Sequence, residues 1–176
     1  VKAYYRQQFA AEFEKRTGRT TAVEQLLPTD DITWALQADY IANNPNPLGS
    51  KEVLDSVADD SRYAESHQRY HPILREYLQR FGYSDIFIVD PDTGHIMYSV
   101  LKELDYATSL LNGPYADSGL AKAFRLAVSA GAPGKAHLVD FSNYGPSYDG
   151  AASFISSSIY QGDELGMIKA QIPYEK

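Results

Sequence analysis

The amino-acid sequence predicts an α+β fold in which helices come first and a largely antiparallel sheet follows. Apolar side chains recur at helical spacing over residues 1–82. Residues 83–176 instead contain short apolar runs separated by turn-forming residues. Strands in runs, with helices apart from them, are typical of α+β domains. We expect one domain, with a helical region over 1–82 and a sheet region over 83–176.

The first helix is indicated by an apolar stripe and by a glycine at its end. The stripe consists of Val1, Tyr5, Phe9 and Phe13. Gly18 is expected to end this helix, because glycine readily adopts the conformation found just past helix C-termini. A second helix should begin at Thr29 or Asp30, since an acidic residue suits the positive end of a helix. Its apolar stripe consists of Ile32, Leu36 and Tyr40.

Two more helices complete the helical region. The prolines within residues 43–47 stop the second helix, and Ser50 begins a short third one. Ser61 is expected to cap a fourth helix that Gly82 closes, with a kink or a new first turn at Pro72. The apolar spacing of this helix continues through Ile73, Tyr77 and Phe81.

The sheet is expected to begin with a hairpin. Residues 85–90 form an apolar run between two Asp residues, which indicates a strand buried on both faces. A turn over 90–94 leads to a returning strand over 95–100. Ile86 and Ile88 should point to one face of the sheet, and Phe87 and Val89 to the other.

The rest of the sheet region is expected to contain one helix and three strands. Residues 101–117 are predicted to form loop and short helix, and Ser118 caps a helix that ends at Ala130. The three strands are predicted over 135–141, 152–160 and 165–172. A turn at Gly162 and Asp163 joins the last two.

Composition excludes several classes of function. The chain has 176 residues, a formal net charge of −7 and a pI near 5.0, so it lacks the basic surface that nucleic acids and anionic membranes attract. It contains no Cys, which excludes disulfides, thiolate metal sites and covalently attached haem. Glycine motifs that bind phosphates or dinucleotides are absent. We therefore expect no nucleic-acid partner and no cofactor.

One segment resembles the start of a calcium-binding loop. Asp90, Asp92 and Gly94 have the right spacing, but the twelfth position is Leu101, which cannot coordinate a cation. A hairpin turn is the better interpretation.

Two histidine patterns were weighed as functional sites. His67 and His71 have the spacing of metal ligands on a helix, and a surface pair without metal is the default interpretation. His137 and Asp140 suggest a hydrolase, but no nucleophile motif accompanies them. We expect neither a metal site nor an enzyme activity.

A group of aromatic residues in the sheet region indicates a small-molecule pocket. Ligand sites combine apolar walls with a few polar groups, and Tyr supplies both; the chain has 14 Tyr. The alternative is that the aromatic side chains fill an ordinary core and that Asp140 only caps the turn over 141–148. The residues expected to line the pocket are Tyr98, Lys102, Tyr106, Tyr115, Asp140, Phe141, Tyr144, Tyr148, Phe154 and Ser156.

Several segments together resemble a known family. Residues Tyr70–Asp90 and Gly94–Leu110, together with Leu138–Tyr148, Ala152–Ile159 and Asn44–Leu48, are similar to the extracytoplasmic sensor domain of bacterial methyl-accepting chemotaxis proteins. The resemblance implies a single Cache domain, in which a long N-terminal helix carries a PAS-like five-stranded antiparallel sheet.

The resemblance also implies a function and a location. The chain would be the periplasmic, ligand-sensing part of a chemoreceptor in the inner membrane, with a membrane helix on each side of it. The chain does not begin with Met, and we expect it to be a segment of such a longer protein. It would bind a small molecule of unknown identity and form a homodimer through its N-terminal helix. The alternatives are the sensor domain of a histidine kinase or nucleotide cyclase, and a dimerisation module without a ligand.

Overall fold

The computed structural model describes residues 1–130, 134–161 and 164–172. The turn predicted at Gly162 and Asp163 lies outside the described residues. Within them, three longer helices are followed by two strands, a fourth longer helix and three strands, as the α+β prediction requires. The short helix predicted at Ser50 is a 3-10 turn over Lys51–Val53, and similar turns span Val23–Gln25 and Gly145–Ser147. None of the helices in the described ranges combines the length and the apolar character needed to cross a membrane.

The first helix, α1, begins as a π-helix over Tyr4–Phe9 and continues as an α-helix over Ala10–Thr17. It ends at Gly18 in the left-handed conformation, as predicted. The stripe residues Tyr5, Phe9 and Phe13 are buried in the main core of their own chain. These three side chains pack within their own chain, and the homodimer through this helix stays a prediction.

The second helix, α2, runs over Asp31–Gln37 and continues as a π-helix over Ala38–Ala42. Asp30 caps it by accepting a hydrogen bond of 2.8 Å from the Thr33 amide. The predicted stripe was partly wrong, because Ile32 is 73% exposed. Thr33 and Gln37 face inward instead. Their side chains hydrogen-bond to backbone carbonyls of residues 104–107.

The third helix, α3, spans Arg62–Phe81 without a break. The Ser61 side chain caps it at the Ala64 amide, and Gly82 ends it. Pro72 lies inside the helix, so it does not start a new one. The residues predicted to continue the apolar face lie on the surface: Ile73, Tyr77 and Phe81 are exposed. The inward face consists of Ala64, His67, His71 and Leu78.

The five strands form one antiparallel sheet in the order β2-β1-β5-β4-β3. The hairpin is confirmed, with Ile88 opposite Tyr98. Ile86 packs with Leu78 of α3, while Phe87 lies in the main core with α1, so both faces of β1 are covered. The strands are β1 (Asp85–Val89), β2 (Ile96–Ser99), β3 (Ala136–Tyr144), β4 (Gly150–Gln161) and β5 (Glu164–Ile172).

The fourth helix, α4, spans Gly119–Ala130 and packs on β3 and β4. Its N-terminus is capped by Ser118, whose Oγ accepts a hydrogen bond from the Ala121 amide at 3.2 Å. On β4, the hydroxyl of Ser156 donates to the Ala123 carbonyl of this helix at 2.8 Å. The α4 face of the sheet is therefore closed by packing and by side-chain hydrogen bonds.

Candidate functional site

The segment after β2, residues 100–110, has no regular structure and is nevertheless buried. Connecting segments usually lie on the surface, because buried irregular backbone leaves polar groups unpaired. Here α2 supplies the partners: the Gln37 amide donates to the carbonyls of Leu104 and Tyr106 at 3.0 and 2.8 Å. Lys102 and Ala107 have positive φ angles of 58° and 68°, a backbone conformation that residues other than glycine rarely adopt.

Lys102 lies in a cage of three tyrosine rings. Its ammonium nitrogen is 4.3 Å from the ring centre of Tyr98, 5.1 Å from that of Tyr106 and 5.9 Å from that of Tyr40. It donates a hydrogen bond to the Ser99 carbonyl. Ring faces attract cations most strongly when water is excluded. Burial nevertheless lowers the pKa of Lys102 to about 7, so this ammonium group loses its proton far more easily than a surface lysine.

Two histidines of α3 extend this lysine cage. His71 donates from Nε2 to the Glu52 carbonyl at 2.7 Å, so its Nδ1 accepts from the Tyr98 hydroxyl at 2.6 Å. His67 donates from Nδ1 to the Asp55 carbonyl at 3.1 Å, which leaves Nε2 as an acceptor with no partner among the described residues.

Both histidines are buried and their rings stack at 4.3 Å, so the expected surface pair was wrong. Burial, reinforced by the Lys102 charge, lowers the pKa of His67 to about 3 and that of His71 to about 4. Both rings are therefore neutral near pH 7.

Asp85 ties the start of β1 to this segment. Its Oδ1 accepts hydrogen bonds from the amides of Ile86, Val100 and Leu101 at 2.7, 2.9 and 3.1 Å. Burial raises the pKa of its carboxyl group well above the usual range, and the nearby Asp105 charge adds to the shift. Oδ2 has no partner among the described residues.

Two further carboxyl groups lie on the same segment. Asp105 accepts a hydrogen bond from the Tyr144 hydroxyl, and its other oxygen finds no partner in the described part of the chain. Glu103 accepts from the Ser147 hydroxyl at 2.6 Å. Burial raises the pKa of Asp105 to about 6 and that of Glu103 to about 7. The hydroxyl of Tyr115 is also buried without a partner among these residues.

A cavity of about 100 Å³ opens beside Lys102 and Glu103. Its other walls come from α1, from residues 48–52, and from the turn after β3. Drug-sized ligands occupy roughly 300–1,000 Å³, so this cavity suits only a small molecule. Both signs of charge line it, and the charged residues are Arg16, Lys51, Glu52, Lys102 and Glu103.

The structure brings together only part of the predicted pocket. Three of the predicted residues, Tyr98, Lys102 and Tyr106, form the lysine cage.

The other aromatic residues lie around Asp105 or in the core. Tyr115 and Tyr144 are close to Asp105, and the ring of Tyr144 packs against that of Phe154, with ring centres 5.1 Å apart. Tyr148 lines the cavity and stacks on Phe9 at 5.2 Å. The aromatic residues thus fill core and also border a site.

Three predicted lining residues lie elsewhere. Asp140 and Phe141 are exposed, and the Asp140 carboxylate accepts a hydrogen bond from the Phe141 amide at 2.8 Å. The pairing of β3 with β4 shifts between Val139 and Ser142. The expected inward position of Asp140 was wrong because alternation from the buried Val139 turns the next residue outward, and the bulge then leaves Phe141 outward as well. Ser156 is buried beneath α4 and lines a separate groove of about 440 Å³ with Leu74 and Tyr77 of α3.

Several members of the site were missed from the sequence. Tyr40 and Asp85 were assigned to a helix stripe and a strand end, and Glu103 was not considered. The spacing of Tyr63, His67 and His71 was a usable signal, since residues four apart share a helix face. Tyr63 joins the cage by accepting a hydrogen bond from the Tyr106 hydroxyl at 2.6 Å.

Comparisons with known proteins give little further information. No model of a protein family matches the chain, and no curated protein is found to be similar to it. Among solved structures, the chain is similar to the sensor domain of the V. cholerae histidine kinase DctB, with 14% sequence identity and a TM-score of 0.41. The similarity covers 94% of this chain and 57% of that one. A likeness at this level does not identify a ligand.

Proposed function

We propose that this chain is an extracytoplasmic sensor domain that binds a small molecule beside residues 101–105 and passes a conformational change to its helices. The observation that carries the proposal is the burial of Lys102 and Asp105, with the half-buried Glu103 between them, on one irregular segment next to a cavity. Burying charged groups costs free energy unless they find partners. Structural segments seldom concentrate such groups, whereas binding sites do.

Three polar atoms near residues 101–105 lack partners in the described part of the chain, although none of their residues lines the cavity itself. Oxygen atoms of Asp85 and Asp105 and Nε2 of His67 have no partner among the described residues. All three atoms are acceptors when the carboxyl groups are ionised. A ligand or water molecule that donates hydrogen bonds would satisfy them.

The contacts of the segment supply a route for a signal. The Tyr5 hydroxyl of α1 donates to Gln37 of α2 at 2.9 Å and also contacts the Leu104 carbonyl at 3.3 Å. Gln37 in turn holds the carbonyls of Leu104 and Tyr106. A ligand that shifts residues 101–105 would therefore displace both helices, provided that it binds the two arrangements with different affinity.

The finer assignment rests on the sequence resemblance. We propose the periplasmic part of a methyl-accepting chemotaxis receptor of the inner membrane, with a PAS-like single Cache fold. The sensor domain of a histidine kinase or nucleotide cyclase is the alternative. The site serves binding and no catalytic step.

A thermal-shift screen tests the proposal. Small carboxylates, amines and zwitterions are added to the wild-type chain and to the variants Lys102→Met and Glu103→Gln. At least one compound should raise the melting temperature of the wild type, and that rise should shrink in both variants. Lys122→Met is the matched control, because Lys122 is an exposed lysine on α4. A compound that stabilises both site variants as strongly as the wild type would place binding elsewhere, and a screen without any stabilising compound would favour a dimerisation module.

A further inference from the structure

One side of α3 presents large apolar residues to solvent. Tyr70 is 50% exposed, Ile73 61%, Tyr77 48% and Phe81 57%. These four residues, the α3 stripe, are spaced by three, four and four positions, so they lie on one side of the helix. A helix packed on a sheet normally turns its polar face outward.

The α3 stripe continues onto the neighbouring sheet. Tyr70 and Ile73 line a groove of about 370 Å³ together with Met97 of β2, which is itself 50% exposed. The rings of Tyr77 and Phe81 lie 4.4 Å apart and extend the patch toward the end of the helix. Half-exposed side chains of this size offer roughly 400–500 Å² of apolar surface, which is the size of the largest apolar patch on a typical monomer, and such patches are often functional.

The spacing of the α3 stripe suits another helix. Apolar residues separated by three or four positions lie along one side of a helix and form the seam of paired helices. The stripe of α1, the other candidate seam, is buried in its own chain. A patch of this area gives at most a weak and reversible interface.

Two exposed residues of opposite charge, Arg69 and Glu76, lie beside the α3 stripe on the side of the helix that faces away from the sheet. Arg69 lies four residues before Ile73 and Glu76 three residues after it, and both are exposed. In the described part of the chain neither side chain forms an ion pair. Arg69 is near only the ring of Tyr70, at 5.3 Å.

We propose that the partner of this face is a second copy of the chain, bound by antiparallel pairing of the two α3 helices about a two-fold axis near Ile73. A two-fold interface places residue i against residue j and residue j against residue i. In this arrangement Arg69 faces the partner's Glu76, and Glu76 faces the partner's Arg69. In a parallel pair, Arg69 would instead lie at the same height along the helix as the Arg69 of the other copy, and Glu76 at the same height as the other Glu76. The proposal does not depend on a ligand.

Charge reversal tests both the surface and the direction of pairing. Sedimentation of the wild-type chain across a wide range of concentrations should show reversible dimerisation. Arg69→Glu and Glu76→Arg should each weaken it about tenfold, because two attractive contacts become repulsive. The double variant should dimerise like the wild type. An equimolar mixture of the two single variants should form heterodimers, since all four facing charges are then opposite in sign.

Apolar substitutions separate this face from others. Ile73→Asp should abolish dimerisation, whereas Ile32→Asp, at an even more exposed apolar site on α2, should leave it unchanged. Melting curves check that each variant folds. A wild type that stays monomeric at all concentrations overturns the proposal, as does a mixture of the single variants that associates no better than each alone.

Discussion

The ammonium nitrogen of Lys102 lies 4.3 Å from the ring centre of Tyr98, whose hydroxyl donates a hydrogen bond to Nδ1 of His71. This arrangement connects the segment after β2 to the inward face of α3. His71 continues the connection by donating to the Glu52 carbonyl. A displacement of Lys102 is therefore expected to reach α3 through Tyr98.

Removing the Tyr98 hydroxyl tests this connection. Tyr98→Phe keeps the ring beside Lys102 but leaves the buried Nδ1 of His71 without its donor, which should lower the free energy of unfolding by about 1–3 kcal/mol. Tyr70→Phe is the control, because Tyr70 is exposed. Chemical denaturation measures both variants. Equal losses of unfolding free energy in the two variants would mean that the buried hydrogen bond to His71 does not stabilise the fold.

The carboxyl groups of Glu103 and Asp105 should lower stability as the pH rises from about 5 to about 7.5, while the lowered pKa values of His67 and His71 raise stability up to about pH 6.5. The folded-state pKa values of Glu103 and Asp105, about 7 and about 6, lie above the ordinary value of about 4. The folded chain therefore binds protons more tightly, and the stabilising contribution is complete below pH ~4 and lost as the pH passes through 6 and 7.

Thermal melting over this pH range measures the effect. Relative to the wild type, Asp105→Asn should become more stable as the pH rises through about 6, because the group that loses its proton there is gone, and Asp140→Asn should follow the wild-type profile. An Asp105→Asn profile that runs parallel to the wild type over this range would show that Asp105 is not protonated preferentially in the folded state.

The two faces of β1 should differ in their sensitivity to truncation. Phe87 is fully buried in the main core, while Ile88 is only half-buried on the α3 side. Phe87→Ala should cost about 3–5 kcal/mol and Ile88→Ala less than about 2 kcal/mol. Urea denaturation of the two variants provides the comparison. A larger loss at Ile88 would contradict the observed layering.

Asp140 should be dispensable. Because its carboxylate is exposed and bonds only to the next amide among the described residues, Asp140→Asn should change the free energy of unfolding by less than about 0.5 kcal/mol. Any compound that stabilises the wild type should stabilise this variant equally. Loss of the ligand response in Asp140→Asn would return this residue to the site.

Much of the secondary structure could be predicted because local chemistry determines it. Asp30, Ser61 and Ser118 cap helices at the expected places, and the apolar run over 85–90 forms the expected strand. Capping and strand alternation depend on residues a few positions apart, so they are readable in the sequence.

Side-chain direction was harder to predict where tertiary contacts decide it. Gln37 faces inward because the carbonyls of residues 104–107 need donors, and Ile73 faces outward because His67 and His71 occupy the inward face. Asp140 faces outward because it follows the buried Val139, and the shift before Ser142 leaves Phe141 outward as well. The lysine cage joins residues from α2, α3 and β2 that are far apart in sequence, so only Tyr98, Lys102 and Tyr106 were anticipated.

Amide hydrogen exchange with and without a stabilising compound tests the proposed site most directly. Binding beside Lys102 should slow exchange in residues 99–106, and in residues 37–52 of the helical region that contact them. Exchange in the exposed half of α3 should stay unchanged at protein concentrations where the chain is monomeric. Slower exchange confined to α3 beside Tyr70 and Ile73, with none in residues 99–106, would contradict the proposal that this buried segment is the sensor site.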